Sequence, residues 1–138
     1  MERVNQGLRV LPLLAVMAGI FFLSHQTGAQ VVLPDIIQFD KVLHCGMYAV
    51  LGGAYLVALP PSWTRQSHWP AGTVVLFCLL YGVSDEYHQS FIPGRLASGG
   101  DLAADILGGV VAFLGFLGWR KWAIRSRRRD HEPSEPRQ

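Results

Sequence analysis

Apolar residues gather into four long stretches: Leu8 to Ser24, Val42 to Leu59, Ala71 to Ser84 with a polar continuation to Phe91, and Leu102 to Trp122. Each approaches the roughly 20 residues that cross a hydrocarbon core about 30 Å thick. With no water in that core to satisfy the backbone, helices are expected even through β-branched pairs such as Val110 and Val111. Trp63, Trp69, Trp119 and Trp122 stand where stretches end, the positions of an interfacial aromatic belt. The expected fold class is all-α, an integral membrane four-helix bundle. A soluble helical bundle is the alternative; the span Leu102 to Trp119, whose one charge is Asp105, argues against it.

The polar positions that interrupt this pattern are not scattered. Asp40, Lys41 and His44 open the second stretch, Asp85, Glu86, His88 and Gln89 close the third, and Asp101 and Asp105 open the fourth. If the stretches run up and down in turn, all of these fall at the same side of the membrane. An ionisable group at membrane depth costs roughly 2.5–3.5 kcal/mol even on a lenient insertion scale, so such groups face a protein interior or a watery cavity and mark function.

Charge fixes the direction. Of the 12 Lys and Arg residues, ten (Arg3, Arg9, Arg65, Arg120, Lys121, Arg125, Arg127, Arg128, Arg129 and Arg137) flank one side, and only Lys41 and Arg95 flank the other. The excess of basic flanks belongs inside, which puts both termini in the cytoplasm and the polar cluster at the outer face. The arginine run after the last stretch is read as a topology anchor that attracts acidic headgroups, with no nucleic-acid role. The expected organisation is a short cytoplasmic N-terminus (1–7), a multi-pass membrane domain (8–122) and a basic, disordered cytoplasmic tail (123–138). The first stretch also has features of a signal peptide, with Thr27-Gly28-Ala29 as a cleavage site; it is read here as a retained span. Cys45 and Cys78 fall at different depths and are read as buried thiols, not a disulfide.

Prolines at 60, 61 and 70 punctuate the loop between spans two and three, making those spans antiparallel neighbours. The segment Val31-Val32-Leu33-Pro34 is too short to cross and suits the outer interface. After Pro93-Gly94 turns the chain, Ser98 three residues before Asp101 resembles a helix-start capping pattern. Small residues at helix-packing spacing (Ala49 with Gly53, Ala54 with Ala58, and Ala104, Gly108 and Ala112) predict that spans two and four form the bundle core.

On span two, Asp40, His44 and Tyr48 are four apart and share a face; on span four, Asp101 and Asp105 do the same. Asp40 and Asp101 also suit helix N-termini, where the macrodipole favours anions, and Lys41 can snorkel to the interface. Asp85 and Glu86 lie at a helix C-terminus, where the dipole disfavours them, so they require partners among Lys41, His44, His88 and Arg95. A buried ion-pair network that fixes helix register is the structural reading of this set. In the functional reading Glu86, His88, Asp85 and His44 are the acid/base candidates. Arg95 and Lys41 are then anion contacts, and Asp40, Gln89, Asp101, Asp105 and Tyr48 line the ligand site. No cofactor is expected. A divalent cation is conceivable, but no paired-histidine-with-glutamate spacing is present.

Asp40-Lys41-Val42-Leu43-His44 with Tyr48 and Leu51-Gly52 forms one motif, and Asp85-Glu86-Tyr87-His88-Gln89-Ser90-Phe91-Ile92-Pro93-Gly94-Arg95 with Ser98, Asp101 and Gly108 forms another. Together they resemble the VanZ-like family of small bacterial membrane proteins, and Ser24-His25-Gln26 resembles the polar end of that family's first span. The resemblance implies a four-helix inner-membrane protein in a family named for a member linked to teicoplanin resistance; it implies no defined reaction. Asp105 stands where the family motif often carries Asn. The expected function is recognition, or modification, of an anionic lipid headgroup or lipid-linked wall precursor at the outer leaflet, with a role in glycopeptide resistance. The competing expectation is an accessory membrane protein whose polar cluster only fixes helix packing. An ion conduit is disfavoured, because the inner halves Val50 to Leu59 and Val110 to Leu117 carry no ionisable relay. The lipid bilayer is the expected partner; no established catalytic motif marks an enzyme.

Overall fold

The computed structural model describes residues 2–27, 38–66 and 69–130. These form the helices α1 (Glu2–Ser24), α2 (Phe39–Ala58), α3 (Pro61–Gln66), α4 (Trp69–Gln89) and α5 (Gly99–Asp130), with no strand among the described residues. The expected interfacial segment Val31 to Pro34, the cleavage-site residues Gly28 and Ala29, and the tail beyond residue 130 lie outside the described residues.

Three helices carry stretches long and apolar enough to cross a membrane: Gly7–Ser24 in α1, Phe39–Ala58 in α2 and Gly99–Arg127 in α5. α4 has the length, at 21 residues, but its last turns hold Asp85, Glu86, His88 and Gln89, and it falls outside that set. The apolar side chains point the wrong way for a water-soluble bundle. Only 11%, 33% and 22% of the three stretches are buried, while Leu14, Phe22, Val50, Leu80, Leu107 and Leu114 stand exposed on the outer faces. Among the most deeply buried side chains, by contrast, are Tyr48 and Asp105. An apolar exterior with carboxyl and imidazole groups turned inward beside Leu51 and Val74 is what a bilayer selects, because lipid supplies no drive to hide leucine.

α2 packs most extensively against α5, as the small-residue faces predict, and α5 in turn packs on α4; α1 lies against α2 and touches α4. The close approach of α5 depends on two adjacent glycines that face opposite neighbours. A Cβ on Gly108 would meet Cys45 O at 2.5 Å and Ala49 N at 2.8 Å on α2, and one on Gly109 would meet Cys78 Cβ at 2.9 Å on α4. Gly52 completes the seam from the α2 side, where a Cβ would meet that of Ala112 at 2.7 Å.

One segment differs from expectation. The proline-rich loop between the second and third spans contains α3, begun by Pro61, whose fixed φ and missing N–H suit the first helical position. α5 continues as helix through Asp130, so residues 123–130, the start of the basic tail, are helical. Ala123 and Ile124 sustain the helix, and Arg125 and Arg127 near its C-terminal end are favoured by the dipole. Cys78 is buried, as expected, with its Sγ 3.7 Å from Tyr48 O; Cys45 is only half-buried, and both are free.

Candidate functional site

The C-terminal ends of α1 and α4 and the N-terminal ends of α2 and α5 meet at one end of the bundle, and the sequence's polar residues collect there in two layers. The first lies among α2, α4 and α5. His44 Nδ1 is 2.9 Å from Asp105 Oδ1 in a buried pair. Gly82 on α4 makes room for it, since a Cβ there would stand 2.8 Å from Asp105 Oδ2. Lys41 Nζ joins the first turns of α2 and α5, donating to Asp40 Oδ2 at 2.9 Å and to Asp101 Oδ1 at 3.3 Å. Tyr48 lies one turn below His44 and is wholly buried.

Glu86 enters this layer through the start of α5. Ser98 Oγ accepts from Gly100 N at 3.2 Å, the side-chain cap that the sequence predicts. In a complete capping box the residue at the position of Asp101 would reach back to the backbone N–H of the cap. Here Glu86 Oε2, from α4, accepts that N–H at 2.6 Å. Asp101 is thereby released from capping and faces the layer instead. Single oxygens or nitrogens of His44, Glu86 and Asp101, all three residues buried, lie within 4.8 Å of one another.

The second layer lies between α1 and α4. Asp85 Oδ2 accepts from Ser24 Oγ at 2.9 Å and from Gln89 Nε2 at 3.0 Å. His25 Nδ1 and His88 Nε2 stand 3.3 Å apart, with Phe21 against the His88 ring. A pocket of about 290 Å³ opens here, lined by aromatic side chains with Asp85 and His88. A larger cavity of about 790 Å³ lies at the opposite end, walled by apolar residues with Arg9, Arg120 and Arg127, away from every acid of the two layers.

The sequence-predicted residues therefore separate. His44, Glu86, Asp101, Asp105, Lys41, Asp40 and Tyr48 come together; Asp85, Gln89 and His88 form the other group. Glu86 and His88, the expected acid and base, have no common partner. Ser24 and His25 complete the second layer and were visible beforehand only as the polar end of the first span.

Arg95, expected at an anion, donates instead from Nε to Gln26 O at 3.2 Å and from Nη2 to Leu23 O at 3.1 Å. These carbonyls end α1 or follow it, so Arg95 satisfies a helix terminus and ties the α4–α5 loop to α1. Arg95→Ala is expected to cost about 1 kcal/mol, since the site is partly exposed. Thermal unfolding in detergent checks this, and an unchanged midpoint would mean that solvent serves the carbonyls equally well.

A model of the VanZ/LLP1 family matches residues 9–120. The chain belongs to that family. The match covers both layers of the VanZ polar end, from Ser24 to Asp105, and stops within α5 before the basic end of that helix. No curated protein and no solved structure matches the chain.

In this VanZ chain, three buried polar atoms among the described residues have no hydrogen-bond partner: Tyr48 OH, Glu86 Oε1 and Asp105 Oδ2. All belong to the first layer. An unsatisfied buried polar group costs roughly 1–3 kcal/mol, so a network whose only task is to lock helices has reason to leave none.

Proposed function

We propose that this protein is a four-span protein of the bacterial inner membrane with both termini in the cytoplasm, and that its outer-end polar layer receives the anionic headgroup of a lipid or lipid-linked wall precursor. α4 is the fourth span in this reading, its polar last turns emerging at the outer face, where ten basic flanks against two direct the chain. The division into a short inner N-terminus, a membrane domain from 8 to 122 and a basic inner tail follows, with the helical order of α5 carrying part of that tail.

The observation that carries the reading is the set of unsatisfied atoms on Tyr48, Glu86 and Asp105. The two carboxylate oxygens accept and so suit a donor on the ligand, a hydroxyl, amide or ammonium N–H of the headgroup, while its anionic oxygens are left to the Tyr48 hydroxyl and to Lys41. Lys41, with its side chain about one-third exposed, is the cation at the mouth of the layer. The accessory reading, in which the network only packs helices, is favoured by the His44–Asp105 pair but leaves the three atoms without an explanation.

The test is complementation of a permeable deletion strain with wild type, Glu86→Gln or Lys41→Gln, reading membrane abundance and teicoplanin susceptibility together. Normal abundance with lost complementation is expected. Reduced abundance, or full complementation by both variants, would assign the layer to packing. A role in glycopeptide resistance is part of the proposal, and this assay reads it directly.

A further inference from the structure

We infer that the first polar layer is a binding site for one divalent first-row transition ion, with His44 Nε2, Glu86 Oε1 and a carboxylate oxygen of Asp101 as its protein ligands. Three helices contribute one residue each, and one candidate ligand atom from each of the three lies within 4.8 Å of the others. At metal–ligand lengths of about 2.1 Å the donors around an ion stand about 3.0–3.5 Å apart, so small side-chain movements close the site.

Each ligand is held by a separate partner that leaves the ligating atom free. Asp105 Oδ1 takes His44 Nδ1 at 2.9 Å, which fixes the ring and leaves Nε2 to the ion. A carboxylate behind the far nitrogen of a histidine is the usual support for a metal ligand. The Ser98 N–H occupies Glu86 Oε2, and Oε1 remains buried and unpartnered on a residue only 8% exposed. Lys41 engages Asp101 Oδ1, which leaves Oδ2. Among the described residues no donor occupies Glu86 Oε1.

Charge points the same way. The layer holds four carboxyl groups, of Asp40, Glu86, Asp101 and Asp105, and one ammonium, that of Lys41, which pairs with Asp40 and Asp101; Glu86, Asp101 and Asp105 are buried. A divalent ion offsets the excess. One imidazole with two carboxylates suits Zn²⁺ or Mn²⁺; Mg²⁺ and Ca²⁺ prefer all-oxygen shells, and no thiol belongs to the group. The ion rests on these side chains alone. Its use to draw a phosphate oxygen into the acidic layer rests on the proposed function.

The experiment uses the untagged full chain in detergent, stripped with chelator and titrated with Zn²⁺ or Mn²⁺ alone. One equivalent is expected to bind. Glu86→Gln and Asp101→Asn should each weaken binding at least tenfold, and Asp105→Asn, acting through His44, should weaken it about 10–100-fold. His25→Ala should bind as wild type does, although the exposed His25–His88 pair is a rival site for zinc. The wild-type Mn²⁺ complex should show nitrogen coupling from one imidazole by electron spin resonance, a readout that needs no variant to fold. Absence of stoichiometric binding, absence of nitrogen coupling, or binding that follows His25 and not Glu86 would overturn the site. Adding vesicles that contain a polyprenyl phosphate then separates the two ideas. Metal bound with no metal-dependent phosphate binding would sink the headgroup reading while the ion site stands.

Discussion

Gly108→Ala should destabilise the protein by about 2 kcal/mol, although alanine is the better helix former by about 1 kcal/mol. The added Cβ would sit 2.5 Å from Cys45 O and 2.8 Å from Ala49 N, which are backbone atoms of α2 and cannot rotate away. Relief requires α2 and α5 to separate along their whole seam, and overpacking of this kind typically costs about 1–3 kcal/mol or more. Gly108→Val should fail to accumulate as a folded protein. The control is Gly115→Ala on the same helix, where nothing lies within 4 Å of the new Cβ. That change should be neutral or mildly stabilising. Detergent-solubilised unfolding midpoints of the three chains decide it; equal losses at 108 and 115 would mean that helix propensity, not contact, sets the result.

His44→Ala should cost about 3 kcal/mol, because it strands Asp105 as a fully buried carboxylate whose Oδ1 loses its partner and whose Oδ2 has none. Removing the second partner as well should restore part of the loss. The chain carrying both His44→Ala and Asp105→Ala is therefore expected to be more stable than the one carrying His44→Ala alone, despite the larger void. A double-mutant cycle in the presence of chelator isolates the pair from any bound ion. Additive losses would mean that the two side chains are not coupled.

The long helices were legible because a bilayer imposes a simple rule on composition. Their apolar runs located α1, α2, α4 and α5, and the small residues Ala49, Gly108 and Ala112 located the tightest seam before any contact was known. Ser98 announced its own cap. What escaped was set by geometry that a linear string does not carry. Glu86 and His88 are two apart in sequence and about 200° apart around a helix with 3.6 residues per turn, so one faces α5 and the other α1. The partners of Arg95 are backbone carbonyls 69 and 72 residues away, which no side-chain pattern marks. Glu86 closes the capping arrangement of another helix, a substitution that local motif reading assigns to Asp101. α3 was hidden by prolines that ordinarily signal a loop. The unsatisfied oxygens of Glu86 and Asp105 required the fold, since only burial makes an oxygen's lack of a partner meaningful.

The dependence of α2 on α5 also has a temporal side. A ribosome releases α2 long before α5, because Lys41 and Asp101, which pair in the finished protein, are separated by 60 positions of synthesis. During that interval His44 and Lys41 have no acidic partner from the last helix, and the face of α2 that receives Gly108 is bare. A chain terminated before Gly99 would leave Lys41 with Asp40 alone, His44 without Asp105 and the Gly108 seam open, an incompletely packed state of the kind that misassembles.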